Sequence, residues 1–333
     1  MRATARANTN IALIKYWGKR DERLRLPRNG SLSLTLEGLG AETTVEFGAC
    51  ERDRLEIDGR ERTGRELERV SALLDLVREQ AGLRLGARVI STSTVPLGAG
   101  LASSAAGFAA LAAAAAAAAG LELSPRELSV LARRGSGSAA RSIFGGLVIW
   151  HRGSRTDGSD SYAEQLCTPQ AWPLAMAIAI IDAGEKAVGS SAGMERACRA
   201  PAYLHWEATA ESDLLEARRA VAARDFGRLG LLAEASATKM HMTAAAADPP
   251  LVYWRAETAR LVSRFASWRA EGCEAYFTVD AGPNVAALCR AEQLEEVARR
   301  LRAEPGVLRV LCCRAGGGVE ILERPAAAGR PAS

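Results

Sequence analysis

Two loops rich in glycine and serine carry the chemistry most open to reading in this chain. The first runs Pro96-Leu97-Gly98-Ala99-Gly100-Leu101-Ala102-Ser103-Ser104 and continues through two alanines to Gly107. The second runs Arg134-Gly135-Ser136-Gly137-Ser138-Ala139-Ala140-Arg141-Ser142. Each feeds a segment of helix-forming residues. A helix N-terminus offers unpaired N–H groups and the positive end of its dipole, which suits a phosphate. Small side chains let the backbone approach the anion, and serine hydroxyls add donors or a metal ligand. One such loop suits a nucleotide; a second suits a phosphorylated substrate facing it. The first loop has no lysine after its glycines and so is not a Walker A sequence. Read by itself, it is equally a structural turn between strand and helix. In the second, Arg141 adds a planar fork that can grip a carboxylate or phosphate with two bonds.

Two further groups stand out by type and place. Asp280 follows the apolar run Tyr276-Phe277-Thr278-Val279 and precedes Ala281-Gly282-Pro283-Asn284. A carboxylate at the end of a buried strand suits a catalytic role, and aspartate before glycine and proline equally suits a turn cap. Lysine occurs only at positions 15, 19, 186 and 239, every other basic side chain being arginine. A lysine retained against that bias marks a place where a compact ammonium is wanted rather than a planar guanidinium, and Lys15 and Lys19 share one short motif. His151, His205 and His241 are isolated in the sequence and receive no role.

These residues need elements to hold them. Residues 9–17, 31–36, 42–47 and 55–58 read as strands from their apolar runs or period-two alternation. Residues 66–80 carry apolar side chains at helical spacing. A strand over 87–93 leads into the first loop, and a small-residue helix over 103–119 leaves it. Ser124-Pro125-Arg126-Glu127 is a capping box that starts another helix, which ends where the second loop begins. Strands follow at 145–150 and 174–181, the latter apolar throughout and therefore expected at the centre of a sheet. Beyond them come helices near 194–221, with a break at Pro201, 224–243 and 250–270. A strand at 275–279, a helix at 291–302 and strands near 307–312 and 318–322 close the chain. A tail over 323–333, rich in proline, alanine and glycine, is expected to be disordered.

The 333 residues allow two domains. A net charge of +4, with basic and acidic residues interleaved and no dense basic run, argues against a nucleic-acid surface. The seven cysteines show no metal spacing and read as free thiols. Neither a secretory leader nor a membrane span is expected, so the sequence suggests a soluble cytoplasmic protein.

Five stretches together resemble the mevalonate diphosphate decarboxylase family of the GHMP kinase superfamily. They are NIALIKYWGK at 10–19, AGLASSAAG at 99–107, RGSGSAARS at 134–142, MHMTAAAADPPLVYW at 240–254 and DAGPN at 280–284. The resemblance implies a two-domain α+β fold of the GHMP-kinase type with the active site in the cleft between domains. It divides the chain into an N-terminal ATP- and substrate-binding domain (1–185), a C-terminal domain (186–325) and the tail (326–333). It implies ATP as co-substrate with Mg2+, a homodimer, and ATP-dependent decarboxylation of mevalonate 5-diphosphate to isopentenyl diphosphate.

By the same resemblance Asp280 orients or deprotonates the substrate hydroxyl, Arg141 holds the carboxylate, and Lys19 stabilises transferring phosphoryl oxygens. Tyr16, Ser136, Gly137, Ser138 and Ser190 would contact the substrate. Ala99, Gly100, Leu101, Ala102, Ser103 and Ser104 would cradle ATP, with Ser104 on Mg2+. The chain departs from the family pattern at PLGAG in the first loop, at Ala200-Pro201, and at Ser191, where some relatives carry arginine. Two alternatives therefore stay open: a decarboxylase of the 5-monophosphate and a GHMP-type mevalonate kinase. A silent phosphometabolite-binding protein is a third reading, which the set Asp280, Arg141 and Lys19 disfavours.

Overall fold

The computed structural model describes residues 1–95, 103–184 and 188–325. The first part of the chain gives β1 (Arg2–Ile14), β2 (Lys19–Asp21), β3 (Leu26–Pro27), β4 (Ser31–Phe47), β5 (Arg54–Ile57) and β6 (Arg60–Arg62). It continues with α1 (Arg65–Ala81), β7 (Ala87–Ser93), α2 (Ser103–Ala118), α3 (Pro125–Gly135), α4 (Ala139–Ser142), β8 (Leu147–Trp150) and β9 (Ala163–Cys167). The second part gives β10 (Leu174–Ile180), α5 (Ser190–Ala197), α6 (Ala202–Ala223), α7 (Phe226–Ala245), α8 (Ala256–Ala270), β11 (Tyr276–Val279) and β12 (Val285–Arg290). A 3-10 turn then precedes α9 (Leu294–Ala303), β13 (Arg309–Arg314) and β14 (Glu320–Glu323).

One sheet has the order β14-β1-β4-β7-β5-β6, with β8 paired to the start of β4 and β9 to β8. The other has the order β11-β12-β10-β13. This α+β architecture contains strands that the sequence reading did not expect, β9 and β12 among them, and differs from it in three further ways. The two runs at 31–36 and 42–47 form a single strand, β4, which bends at Gly38 with φ of 82° and a register shift opposite Asn8 and Thr9 of β1. A left-handed backbone is open to glycine at little cost, so the bend needs no break in the strand. Second, β10 already belongs to the second sheet, so a division at residue 185 falls behind the strand that opens that sheet. Third, β14 pairs with β1 and returns the chain to the first sheet. No local sequence signal tells an apolar strand which sheet it will join.

The alternation in β10 explains how the halves are joined. Leu174, Met176, Ile178 and Ile180 face a core shared with Ile11 and Leu34 of the first sheet and with Leu229 of α7. Ala175, Ala177 and Ala179 face the other way, against Phe265 and Trp268 of α8 and Leu301 of α9. Each fully buried large side chain contributes roughly 1.5–3 kcal/mol relative to exposure, so this shared core holds the two sheets together. On the far side of the first sheet α2 is buried almost all round, from Ala105 to Ala118. Its alanines give the helix propensity and the close approach to β1 and β4 that a bulkier helix would lack. The Ser124 capping box forms as expected, with Ser124 accepting from Glu127 N–H and Glu127 accepting from Ser124 N–H at 2.8 Å. The tail at 326–333 lies outside the described residues.

Candidate active site

A cavity of about 760 Å3 opens where the end of β1, the α3–α4 turn, the starts of α2 and α5, and the end of β11 converge. Its lining includes Tyr16, Lys19, Ser104, Ser136, Gly137, Ser138, Arg141, Ser190 and Asp280. The structure thus brings together the described members of the expected site from both sheets. Ala99, Gly100, Leu101 and Ala102 lie outside the described residues, and Ser103 opens α2.

Asp280 sits immediately after β11 and forms an ion pair with Lys15, whose side chain is almost wholly buried. Lys15 Nζ also donates to Ala12 O at 2.9 Å, and Thr278 Oγ1 donates to the same carbonyl at 3.1 Å, tying β1 to β11. The backbone of Lys15 is fixed on both sides: its N–H donates to Ser236 Oγ at 3.0 Å and its carbonyl accepts from Asn29 Nδ2 at 2.7 Å. Burial pulls the Lys15 ammonium below the usual lysine range, Asp280 opposes that pull, and the nearby Arg141 charge adds to it.

Arg141, on α4, is 3 % exposed. Its Nε donates to Asn10 Oδ1 at 3.1 Å and its Nη1 to Ser31 Oγ at 2.5 Å. Both partners are neutral side chains, and burial pushes the guanidinium down to about 10. Asn10 is itself held, because Nδ2 donates to Ser142 Oγ at 2.8 Å and to Ser138 O at 3.1 Å. A buried cation oriented by neutral groups is costly to leave alone and gains from an incoming anion.

Beside it the second loop is packed against Tyr16. A Cβ at Gly137 would lie 3.0 Å from Tyr16 Oη and 3.1 Å from the Trp150 ring, so glycine is what lets the loop backbone approach. The Tyr16 hydroxyl is buried and has no hydrogen-bond partner among the described residues, and burial holds its pKa above the ordinary tyrosine range, so it stays protonated. Ser136 Oγ lies 3.3 Å from Ser104 Oγ and 3.4 Å from Ser138 Oγ. The start of α2 and the second loop therefore meet through serine hydroxyls.

Lys19 and Ser190 mark the other rim. Lys19 Nζ donates to Glu22 Oε2 at 2.7 Å and to Ser191 Oγ at 3.2 Å, the latter on the first turn of α5. Of the two lysines in the motif, Lys15 rather than Lys19 touches Asp280. Sequence reading singled out Lys15 for its rarity but gave it no role at the site. It missed Asn10 and Ser31, which orient Arg141, and a wall of Arg25, Arg65 and Arg69. Arg69 Nη2 donates to Gly135 O at 3.0 Å and its guanidinium lies 4.7 Å from the Phe108 ring centre. Burial, with help from Arg25 and Arg65, pushes it down to about 10. The only signal was the i, i+4 spacing of Arg65 and Arg69 in α1, which any solvated helix face shares.

Comparison with known proteins gives the same answer at every level. Residues 7–163 match the diphosphomevalonate decarboxylase-like N-terminal domain, and residues 176–306 the mevalonate 5-diphosphate decarboxylase C-terminal domain. The diphosphomevalonate decarboxylase of Homo sapiens is 38% identical over 304 residues, 84% of this chain and 75% of that protein. That of Bos taurus is 36% identical over 322 residues, covering 90% and 79%. The crystal structure of mevalonate diphosphate decarboxylase from Staphylococcus aureus superposes with a TM-score of 0.91 at 38% identity, over 97% of this chain and 98% of that one. A complex of MDDEF with MVAPP, AMPPCP and magnesium superposes with a TM-score of 0.90 at 42% identity, over 97% and 99%. With both halves matched by family models and relatives aligned along most of its length, the chain belongs to the diphosphomevalonate decarboxylase family and is an ATP-dependent decarboxylase.

Proposed function

We propose that the cavity converts mevalonate 5-diphosphate and ATP to isopentenyl diphosphate, ADP, phosphate and carbon dioxide. The observation that carries the reading is Arg141: a buried cation held by neutral side chains, in the same cavity as Asp280. A kinase site needs a base and phosphate donors; an added cation for a carboxylate is what a decarboxylase requires.

The steps follow from the positions. Arg141 pairs with the substrate carboxylate through its remaining N–H groups. Asp280, steadied by Lys15, accepts the proton of the tertiary 3-hydroxyl as its oxygen attacks the γ-phosphorus of ATP. Lys19, on the rim, stabilises the transferring phosphoryl oxygens. The phosphorylated oxygen then leaves as phosphate while the C–C bond to the carboxylate breaks, its electron pair forming the alkene and releasing carbon dioxide. Tyr16, the Ser136 and Ser138 hydroxyls, the Gly137 N–H and Ser190 would hold the substrate phosphates, and Ala99 to Ser104 those of ATP.

Among the described residues no group of three His, Cys, Asp or Glu could hold a metal ion. Ser104 offers one hydroxyl on the cavity wall, a donor set that fits a magnesium ion carried mainly by phosphate oxygens. When bound, that ion supplies charge neutralisation between the phosphates. A homodimer in the cytoplasm is the family-based reading of its assembly and place; the seven cysteines, all free thiols, suit a reducing compartment. No helix among the described residues is long and apolar enough to cross a membrane.

The deciding experiment follows ADP and carbon dioxide together with ATP, Mg2+ and each of mevalonate, its 5-phosphate and its 5-diphosphate. Equal release of both from the diphosphate is expected. ADP without carbon dioxide would make the protein a kinase, and faster release from the monophosphate would move the substrate assignment.

A further inference from the structure

Asp280 follows the edge strand of the second sheet, since among the described residues β11 pairs only with β12. An edge strand has one row of backbone groups without ladder partners. Here α7 meets that row with side chains two helical turns apart. Glu234 Oε1 accepts from Phe277 N–H at 3.2 Å, and His241 Nε2 lies 3.2 Å from Val279 O. Since a carbonyl can only accept, Nε2 carries the proton and His241 is the donor. The ring is 9 % exposed. It is boxed in by Trp254, with ring centres 5.1 Å apart, and by Tyr253 at 6.0 Å. Burial pushes it down to about 4, helped by the Lys15 charge, so the imidazole is neutral in the range where enzymes work.

The same helix fixes the other member of the pair, since Ser236 accepts the Lys15 N–H. A cavity of about 20 Å3, lined by Asp280 with Ile11, Ile178, Thr278 and Asn284, adjoins the end of β11. Lys15 holds the carboxylate from one side, and the Val279 carbonyl anchors the backbone that carries it.

We infer that His241 is a positioning residue for the reaction: by donating to the Val279 carbonyl it fixes the end of β11, and with it the Asp280 carboxylate, against the substrate hydroxyl. This rests on the role proposed above for Asp280. A misplacement of about 1 Å at a reacting group can cost about 100-fold in rate. His241→Leu, which fills the space without a donor, is therefore expected to lower kcat about 100-fold, with KM for ATP and for mevalonate 5-diphosphate changed less than about threefold. His241→Gln, whose amide N–H reaches the same carbonyl, should keep kcat within about threefold. In an Asp280→Asn background, His241→Leu should take nothing further from the residual rate, because it acts through a group already lost.

Wild-type kcat in His241→Leu, a rise in KM alone, or a full second loss in the double variant would overturn the inference. If Asp280→Asn itself keeps normal turnover, the role of Asp280 falls and the inference with it. A dead Asp280→Asn beside a normal His241→Leu removes only the inference. Should His241→Leu not fold, His241→Asn, with its donor drawn back by one methylene, decides: about a tenfold loss of kcat supports the positioning role, and wild-type kcat overturns it.

Discussion

Arg133 and Arg141 lie at either end of the second loop, one closing α3 and the other on α4, and both are buried. They are 1 % and 3 % exposed, and burial pushes each guanidinium down to about 10. Their partners differ. Arg133 gives its N–H groups to backbone carbonyls: Gly158 O at 2.8 Å, Leu24 O at 3.2 Å and Ser161 O. Arg141 gives its own to two side chains, Asn10 and Ser31, and turns the rest of its fork to the cavity. One cation is consumed by holding loops; the other is aimed. Desolvation alone does not mark a functional arginine, and the chemistry of its partners does.

Replacing each in turn should split activity from stability. Arg141→Met is expected to lower kcat/KM for the diphosphate substrate by about 1000-fold or more, the size of losing a charge that meets developing charge, while the thermal midpoint without ligands changes little. Arg133→Met should do the reverse. Three hydrogen bonds to backbone carbonyls are lost, although Gly158 O keeps Ser161 N–H, which costs roughly 3 kcal/mol in denaturant unfolding, with turnover per folded molecule near normal. A catalytic loss in Arg133→Met equal to that of Arg141→Met would end the distinction.

His241 extends the comparison to a titrating group. Its ordinary value of 6.5 falls to about 4 in the folded protein. The unfolded chain therefore binds the proton more readily between those two values. Stability from keeping the ring neutral is complete above about pH 6.5 and is lost as pH falls towards 4, by roughly 3 kcal/mol. Urea titrations across that range should show the decline, and His241→Gln should flatten it. The smallest expected effect is at the orienting partner of Arg141. Ser31→Ala should cost about tenfold in kcat/KM, the worth of one hydrogen bond to a charged group, and a loss as deep as that of Arg141→Met would mean that Ser31 itself meets the substrate.

The same contrast explains what was legible before the structure. RGSGSAARS and NIALIKYWGK announce the site because glycine, serine and scarce lysine are restricted choices with few structural reasons to cluster. Arg65 and Arg69 were invisible because a charged pair at helical spacing looks like any solvated surface. His241 was passed over because its partner is a backbone carbonyl 38 residues away, which no residue type encodes. Most elements were readable from period and caps, and Pro201 does separate α5 from α6, but β9 and β12 were missed. Sheet membership was not, since β10 and β14 are assigned by packing between halves rather than by their own residues.

The return of β14 to β1 has a consequence for how the molecule is made. Thr4 pairs with Glu323, and Arg2 bonds to the same glutamate, so β1 gains this neighbour only after β14, made much later, has emerged. Contacts of such long range are slow to close. Until they do, β1 presents an open margin to any other strand nearby. Synthesis thus carries a window in which that margin of β1 is sticky, and β14 is the latch that closes it.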